Sequence, residues 1–304
     1  MRSEVVTKKI RVAAWAMLIA QAGIILSGGI VRLTGSGLGC SDWPKCTPDS
    51  LVATPAMGIH SYIEFGNRLI AVVLAILGVC IALMLWNHRK KRPDLFWLNI
   101  GLLAIVPVQA VVGGITVWTK LNPWVVAGHF IPSAIAVGVA TYFVRRTYDT
   151  GVRLTTRASS PLPTLAWIML ALTAVIVVFG VLTTGAGPHS GSTMSTRNGL
   201  DNIWITRAHA FPVWLLIIAT VISLVLAKRK AQTAMVAPLT VLLIVEIAQG
   251  LIGYVQYFLG VPEVLVAFHM VGLAATIAAS VAVLDSAYPR SPQAGTERSL
   301  TVAA

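Results

Sequence analysis

The chain has 304 residues, 56% of them apolar and 11% charged, and carries a formal charge of +12. That balance excludes a disordered chain and an ordinary soluble domain, and it is the profile of a multi-spanning membrane protein. The positive charge sits in short clusters between long uncharged runs, which excludes a continuous basic groove for nucleic acid.

A hydrocarbon core of about 30 Å takes roughly 20 helical residues to cross, and each crossing segment must satisfy its own backbone polar groups. Eight stretches meet this requirement, near 12–32, 60–86, 95–118, 124–145, 162–183, 203–227, 235–257 and 262–285. The first follows Lys8, Lys9 and Arg11 as a secretory leader would, but it exceeds the roughly 7–15 apolar residues of such a leader and reads as a retained span. It runs into TGSGLGCSDWPKC, Thr34 to Cys46, a glycine-rich loop holding two of the three cysteines. The second span opens on HSYIEFGNR, which places His60, Glu64, Asn67 and Arg68 near one end. Cys80, deeper in that span, reads as a small core residue. The third span carries QAVVGGITV from Gln109, and the fourth carries His129. After a basic connection the fifth span runs into LTTGAG, the sixth opens on ITRAHAF with Arg207 and His209, the seventh carries QGLIGYVQY from Gln249, and the eighth carries His269.

The basic residues divide unequally between alternate loops. Seventeen, including Arg89 to Arg92 and Lys228 to Lys230, fall on one side, and Lys45, Lys120 and Arg197 fall on the other. By the positive-inside rule the protein is a multi-pass protein of the cell membrane with both termini cytoplasmic, and the clusters anchor it to anionic lipid. Cys40 and Cys46 then face outward, where a disulfide can form. Closing so short a loop is worth about 2 kcal/mol on the chain-entropy model. Two uses are open to it, a staple or exchange with an external thiol.

The chain also repeats itself. LTGSG after the first span and LTTGAG after the fifth lie 150 residues apart, and the Gln109 and Gln249 segments lie 140 apart. A histidine stands twenty residues beyond each glutamine, His129 and His269. The expected architecture is an all-α membrane protein of eight transmembrane helices in two pseudo-symmetric four-helix bundles, related by an axis along the membrane normal. Residues 1–11 form a cytoplasmic N-terminus, 12–145 the first bundle, 146–161 a cytoplasmic linker, 162–285 the second bundle, and 286–304 a tail expected to be disordered.

Ionisable groups within spans are costly, so each marks a functional position by default. At the repeat offset Asn67 matches His209, as His129 matches His269. All four enter about 8 to 12 Å below the outer surface at 1.5 Å per residue. Two imidazoles facing each other across a bundle can supply both axial bonds of a haem iron. No CxxCH occurs, which excludes covalent haem attachment. His88 and His189 are expected to have no site role. Glu64 reads either as a general base or as an ion-pair partner of Arg68, four residues on.

Together GGIVRLTGSGLGCSDWPKC, EFGNR, QAVVGGITV and the paired histidines resemble the haem A synthase family, over nearly the whole chain from Gly28 to His269. The resemblance implies a membrane oxidoreductase that converts haem O to haem A for terminal oxidases, oxidising a porphyrin methyl group to a formyl by successive hydroxylations. It implies haem b as cofactor, with His209 and His269 as axial ligands in the second bundle. Haem O is then the substrate in the first bundle, with Glu64 catalytic and His129, Asn67 and His60 around the substrate. Arg32, Arg68 and Arg207, near outer helix ends, are candidates for holding propionates or for snorkelling to the interface. The implied partners are haem O synthase and terminal-oxidase assembly factors, with homo-oligomerisation open. Two departures stand out. The family's Glu-x-x-His-Arg is here Glu64-Phe-Gly-Asn67-Arg68, so the substrate bundle lacks one imidazole. The second cysteine pair that many members carry is missing from residues 184–202. Two other classes fit the pattern less well: a diheme electron-transfer protein without chemistry of its own, and a transporter built on a parallel repeat.

Overall fold

The computed structural model describes residues 6–149, 152–153, 161–288 and 290–291. Eight helices account for almost all of them: α1 Lys8–Leu33, α2 Ile59–Trp86, α3 Pro93–Trp118, α4 Pro123–Thr147, α5 Leu162–Ala186, α6 Asn202–Arg229, α7 Thr233–Phe258 and α8 Glu263–Ser286. Each is long and apolar enough to cross a membrane, and the chain is a multi-pass, all-helical membrane protein. The two-residue strands β1 Val152–Arg153 and β2 Arg290–Ser291 form one small antiparallel pair. Most of the remaining linker and the expected disordered tail lie outside the described residues.

Helix boundaries follow local chemistry. The Thr7 hydroxyl accepts from the Ile10 amide, Asn122 from Trp124 and Asp201 from Trp204, each filling one of the free N–H groups of a first turn. Pro93 and Pro123 occupy first-turn positions that need no donor. The turns after α3 and α7 are built alike. Leu121 and Val261, 140 residues apart, both have positive φ, and their amides reach back to the carbonyls of Thr116 and Gln256. That six-to-one bond closes a helix C-terminus and sets the angle of the next helix.

Packing divides the helices into two rings. In the first, α1 packs on α2, α2 on α3, α3 on α4 and α4 on α1; in the second, α5 to α8 repeat the same order. Helices α2 and α4 are therefore diagonal, as are α6 and α8, and neither diagonal pair packs directly. Contacts of α8 with α1 and α4, and of α4 with α5, join the rings. Each ring has an apolar core, around Met17, Ile81 and Phe143 in one and Met169, Leu216 and Leu239 in the other. A third cluster, with Ile25, Val137, Val177 and Ile277, fills the seam between them. Large apolar side chains such as Ile19, Leu83, Leu251 and Phe258 point outward, as lipid-facing residues do.

The two ends of the molecule differ chemically. At the basic end, buried Arg92 pairs with Asp94, Arg146 pairs with Asp94 and Asp149, and Arg145 ties α4 to Asp285 of α8 at 2.6 Å. At the opposite end, the long α1–α2 connection carries the Cys40–Cys46 disulfide.

Candidate functional site

His209 on α6 and His269 on α8 meet across the diagonal of the second ring. Their ring centroids lie 6.3 Å apart with the planes at 78°. The space they enter is left by glycine. A Cβ on Gly180 of α5 would stand 3.0 Å from the His209 ring, and one on Gly253 of α7 would stand 3.7 Å from the His269 ring. The His209 Nδ1–H donates to the Ile176 carbonyl at 3.0 Å. A carbonyl only accepts, so this bond fixes the tautomer and leaves Nε2 with its lone pair. His269 Nδ1 is buried without a partner. A metal ion bonded to both rings at about 2 Å, with roughly 1 Å more from each nitrogen to its ring centre, spaces the centres by about 6 Å, which this pair satisfies. Among the described residues no group of three or more His, Cys, Asp or Glu offers a fuller ligand set, so the pair suits an ion whose other ligands come from elsewhere, as a porphyrin's do.

The first ring places Asn67 of α2 and His129 of α4 at the equivalent positions, again backed by glycine. A Cβ on Gly113 would stand 3.2 Å from the His129 ring, and one on Gly28 would stand 3.9 Å from Asn67 Oδ1. His129 Nδ1 is buried and unpartnered. Gln109 donates to the His129 carbonyl and to Ser133, which makes it a tie between α3 and α4. The Ser27 hydroxyl donates to Asn67 Oδ1 at 2.6 Å. His60 is exposed at the mouth of α2, with Nδ1 2.8 Å from Ser36 Oγ.

Over this ring the cysteine loop forms a lid, and Glu64 is its anchor. The Glu64 carboxylate is 5% exposed; one oxygen accepts from the Cys40 amide at 2.8 Å and the other from Arg68 at 2.6 Å. Arg68 also donates to the carbonyls of Asp42 and Lys45. Trp43 lies edge-on to Trp118 and against Gly114, where any Cβ would overlap the indole. Gly39 likewise presses on the His60 carbonyl. The glycines and cysteines of this loop thus serve close packing over the first ring, and Glu64 makes the ion pair with Arg68 that was one of its two readings.

The three arginines have different surroundings. Arg32 reaches across the seam and donates to the carbonyls of His189 at 2.5 Å and Thr184 at 2.8 Å. His189 Nε2 bonds the Val261 carbonyl at 2.8 Å, so this histidine links the α5–α6 connection to the start of α8. Arg68 belongs to the lid. Arg207 is exposed and lines an outward groove with Trp204, Phe211 and Phe179. Two positions from His209 on a helix is a turn of about 200°, which puts Arg207 on the opposite face. The sequence reading also leaves out Glu246, 2% exposed in α7. Its signal was plain, an acid in the run LTVLLIVEIAQG.

Comparison with known proteins finds a family model, described as cytochrome oxidase assembly protein (COX15-CtaA), that matches residues 11–196. Among curated proteins, the heme A synthase of Oceanobacillus iheyensis is 24% identical over 143 residues, 47% of this chain and 46% of the relative. That of Geobacillus kaustophilus is 26% identical over 136 residues, 45% of this chain and 42% of the relative. That of Lysinibacillus sphaericus is 29% identical over 140 residues, 45% and 44% respectively. The chain thus covers a little under half the length of the curated relatives it matches.

Proposed function

From the premise that the chain belongs to the cytochrome oxidase assembly protein family, we propose that it is a haem A synthase, oxidising a methyl group of haem O to a formyl by successive hydroxylations. The observation that carries this reading is the histidine pair of the second ring, set 6.3 Å apart across a diagonal and backed by glycines. His209 and His269 hold haem b through its iron, which supplies a one-electron acceptor. The Ile176 carbonyl orients the His209 ring and keeps Nε2 free to bind.

In the first ring His129 faces the substrate haem from one side. Asn67, a poor iron ligand whose Oδ1 accepts from Ser27, would leave the opposite side open to an oxygen source. Glu64 lies beside this opening and takes the protons released from the methyl group. Its bonds to Arg68 and the Cys40 amide make its position depend on the lid. Arg68 and Arg32 are within reach of propionates at the lid end, and His60 stands at the mouth. The bundle of residues 12–145 is thus the substrate unit and that of 162–285 the cofactor unit. The termini and the basic clusters face the cytoplasm of the cell membrane. Haem O arrives from the enzyme that makes it, and the product leaves to terminal-oxidase assembly factors.

Pigment analysis of the purified protein tests the assignment. Haem b together with haem O or haem A is the expected content. His209→Ala or His269→Ala should remove most of the haem b absorbance, whereas His88→Ala should not. Haem b in both rings, with no conversion of added haem O, would instead identify a diheme electron carrier.

A further inference from the structure

Glu246 lies midway along α7, and its neighbours on that helix form a polar stripe. Glu246, Gln249, Gly253 and Gln256 are spaced three and four apart and share one face. Gly253 is the residue backing the His269 ring, seven positions or about 10 Å along the axis from Glu246. Gln249 packs where Gly272 of α8, one turn beyond His269, leaves room for it. The stripe therefore connects the buried acid to the histidine level.

The surroundings of the acid are neutral. Among the described residues it has no ion-pair partner. Its Oε1 is 2.8 Å from Thr220 Oγ1 of α6, and Oε2 is buried with no partner. The same Thr220 hydroxyl lies 3.4 Å from Met169 Sδ. A hydroxyl has one hydrogen, so it cannot donate to both. If Glu246 carries a proton on Oε1, it donates to Thr220, and Thr220 donates to the sulfur. One turn on toward the basic end, Ser223 Oγ is also buried and unpartnered, and Thr173, one turn from Met169 on α5, bonds Ser280 of α8 at 2.9 Å. The first ring has no equivalent: at the repeat offsets of 140 and 142, Glu246 falls on Val106 and Thr220 on Gly78.

We propose that Glu246 is a proton-exchanging site of the second ring, a carboxyl group that is neutral while the histidine site carries no net positive charge and ionises when it does. The proposal rests on the reading that His209 and His269 hold haem b. An isolated carboxylate at mid-membrane is among the costliest groups a bundle can bury, and a positive charge about 10 Å away is the nearest compensation the stripe offers. The other titratable groups on helices packed against α7 are remote. Arg207 and Glu263 stand at the lid end, and Asp285 at the basic end. Lys228 and Arg229 are eight and nine positions beyond Thr220, at least about 12 Å along α6. The step balances as one electron and one proton. Were haem b held here, it would supply one-electron chemistry, and the Glu246 carboxylate would take up one proton for each electron the group gained and release it for each electron the group lost.

Two measurements on the purified holoprotein decide it. Infrared difference spectra recorded after reduction with dithionite should contain the C=O band of a buried neutral carboxylic acid, absent from Glu246→Gln and displaced in Thr220→Val. The midpoint potential of the bis-imidazole haem should fall as pH rises, with a slope approaching about 59 mV per unit where one proton accompanies one electron. Glu246→Gln, close in shape, should flatten that slope without loss of haem. A slope unchanged in that variant would overturn the proposal while leaving the haem assignment intact. Absence of bis-imidazole haem from the purified protein would overturn the haem reading and, with it, the proposal that rests on it. Should Glu246→Gln not fold, a Thr220→Val band at the wild-type frequency refutes the assignment of the acid.

Discussion

The two rings share a frame and differ in where they keep a carboxyl group. Both set a pair of polar side chains on diagonal helices at one depth, each backed by glycine: Asn67 and His129 in the first, His209 and His269 in the second. The correspondence extends down the lining helices, where Met17, Gln21 and Gly28 of α1 stand 152 positions before Met169, Thr173 and Gly180 of α5. The first ring puts its acid at the rim, ion-paired and under a lid; the second puts its acid at mid-depth beside hydroxyls only. On the proposed function, a rim acid beneath the cysteine loop suits exchange of protons with a substrate that must come and go. A deep acid in a closed ring suits a resident group whose charge alternates. On that reading one scaffold serves two chemistries, the helices being alike and the acids differently placed.

Substitutions at matched positions test whether the two rings differ in this way. The largest effect is expected from Gly180→Leu, which drives a side chain into the His209 ring and should abolish most haem b absorbance, whereas Gly28→Leu should keep the haem b spectrum and lose conversion of haem O. Asn67→His makes the first ring resemble the second. It should add a bis-imidazole component, up to one more haem per chain, at the cost of activity, because the open side is then closed. Glu64→Ala leaves Arg68 and the Cys40 amide without their acceptor and should cost about 3 kcal/mol in the first ring, read as a lower thermal midpoint in detergent with haem b retained. Cys40→Ser removes the crosslink and should cost about 2 kcal/mol, seen as faster proteolysis of the lid with little change in the second ring's spectrum.

Much of this was legible in the sequence, for identifiable reasons. A membrane span is written in a continuous apolar run, so the eight helices fall within a few residues of the expected limits, as in 60–86 against Ile59–Trp86. The repeat is written in motif spacing, which sets His209 and His269 at one depth. The lid was not legible, because the bonds of Glu64 to Cys40 and of Arg68 to Lys45 join positions 24 and 23 residues apart through an irregular loop. Nor was the role of Arg32, whose acceptors lie more than 150 residues away in the other ring. Arg207 is a different case: helical periodicity alone would have separated its face from that of His209.

The adjacent glycines of α1 divide these two chambers. Gly28 looks onto Asn67, and its neighbour Gly29 looks onto Met270, the residue after His269, whose side chain would lie 3.3 Å from any added Cβ. At this level α1 offers backbone alone to both sides, so the Met270 side chain of α8 can seat directly against it. The spacing between the two rings is therefore set by one methionine, and a Cβ at Gly29 would push α8, and His269 with it, away from α1.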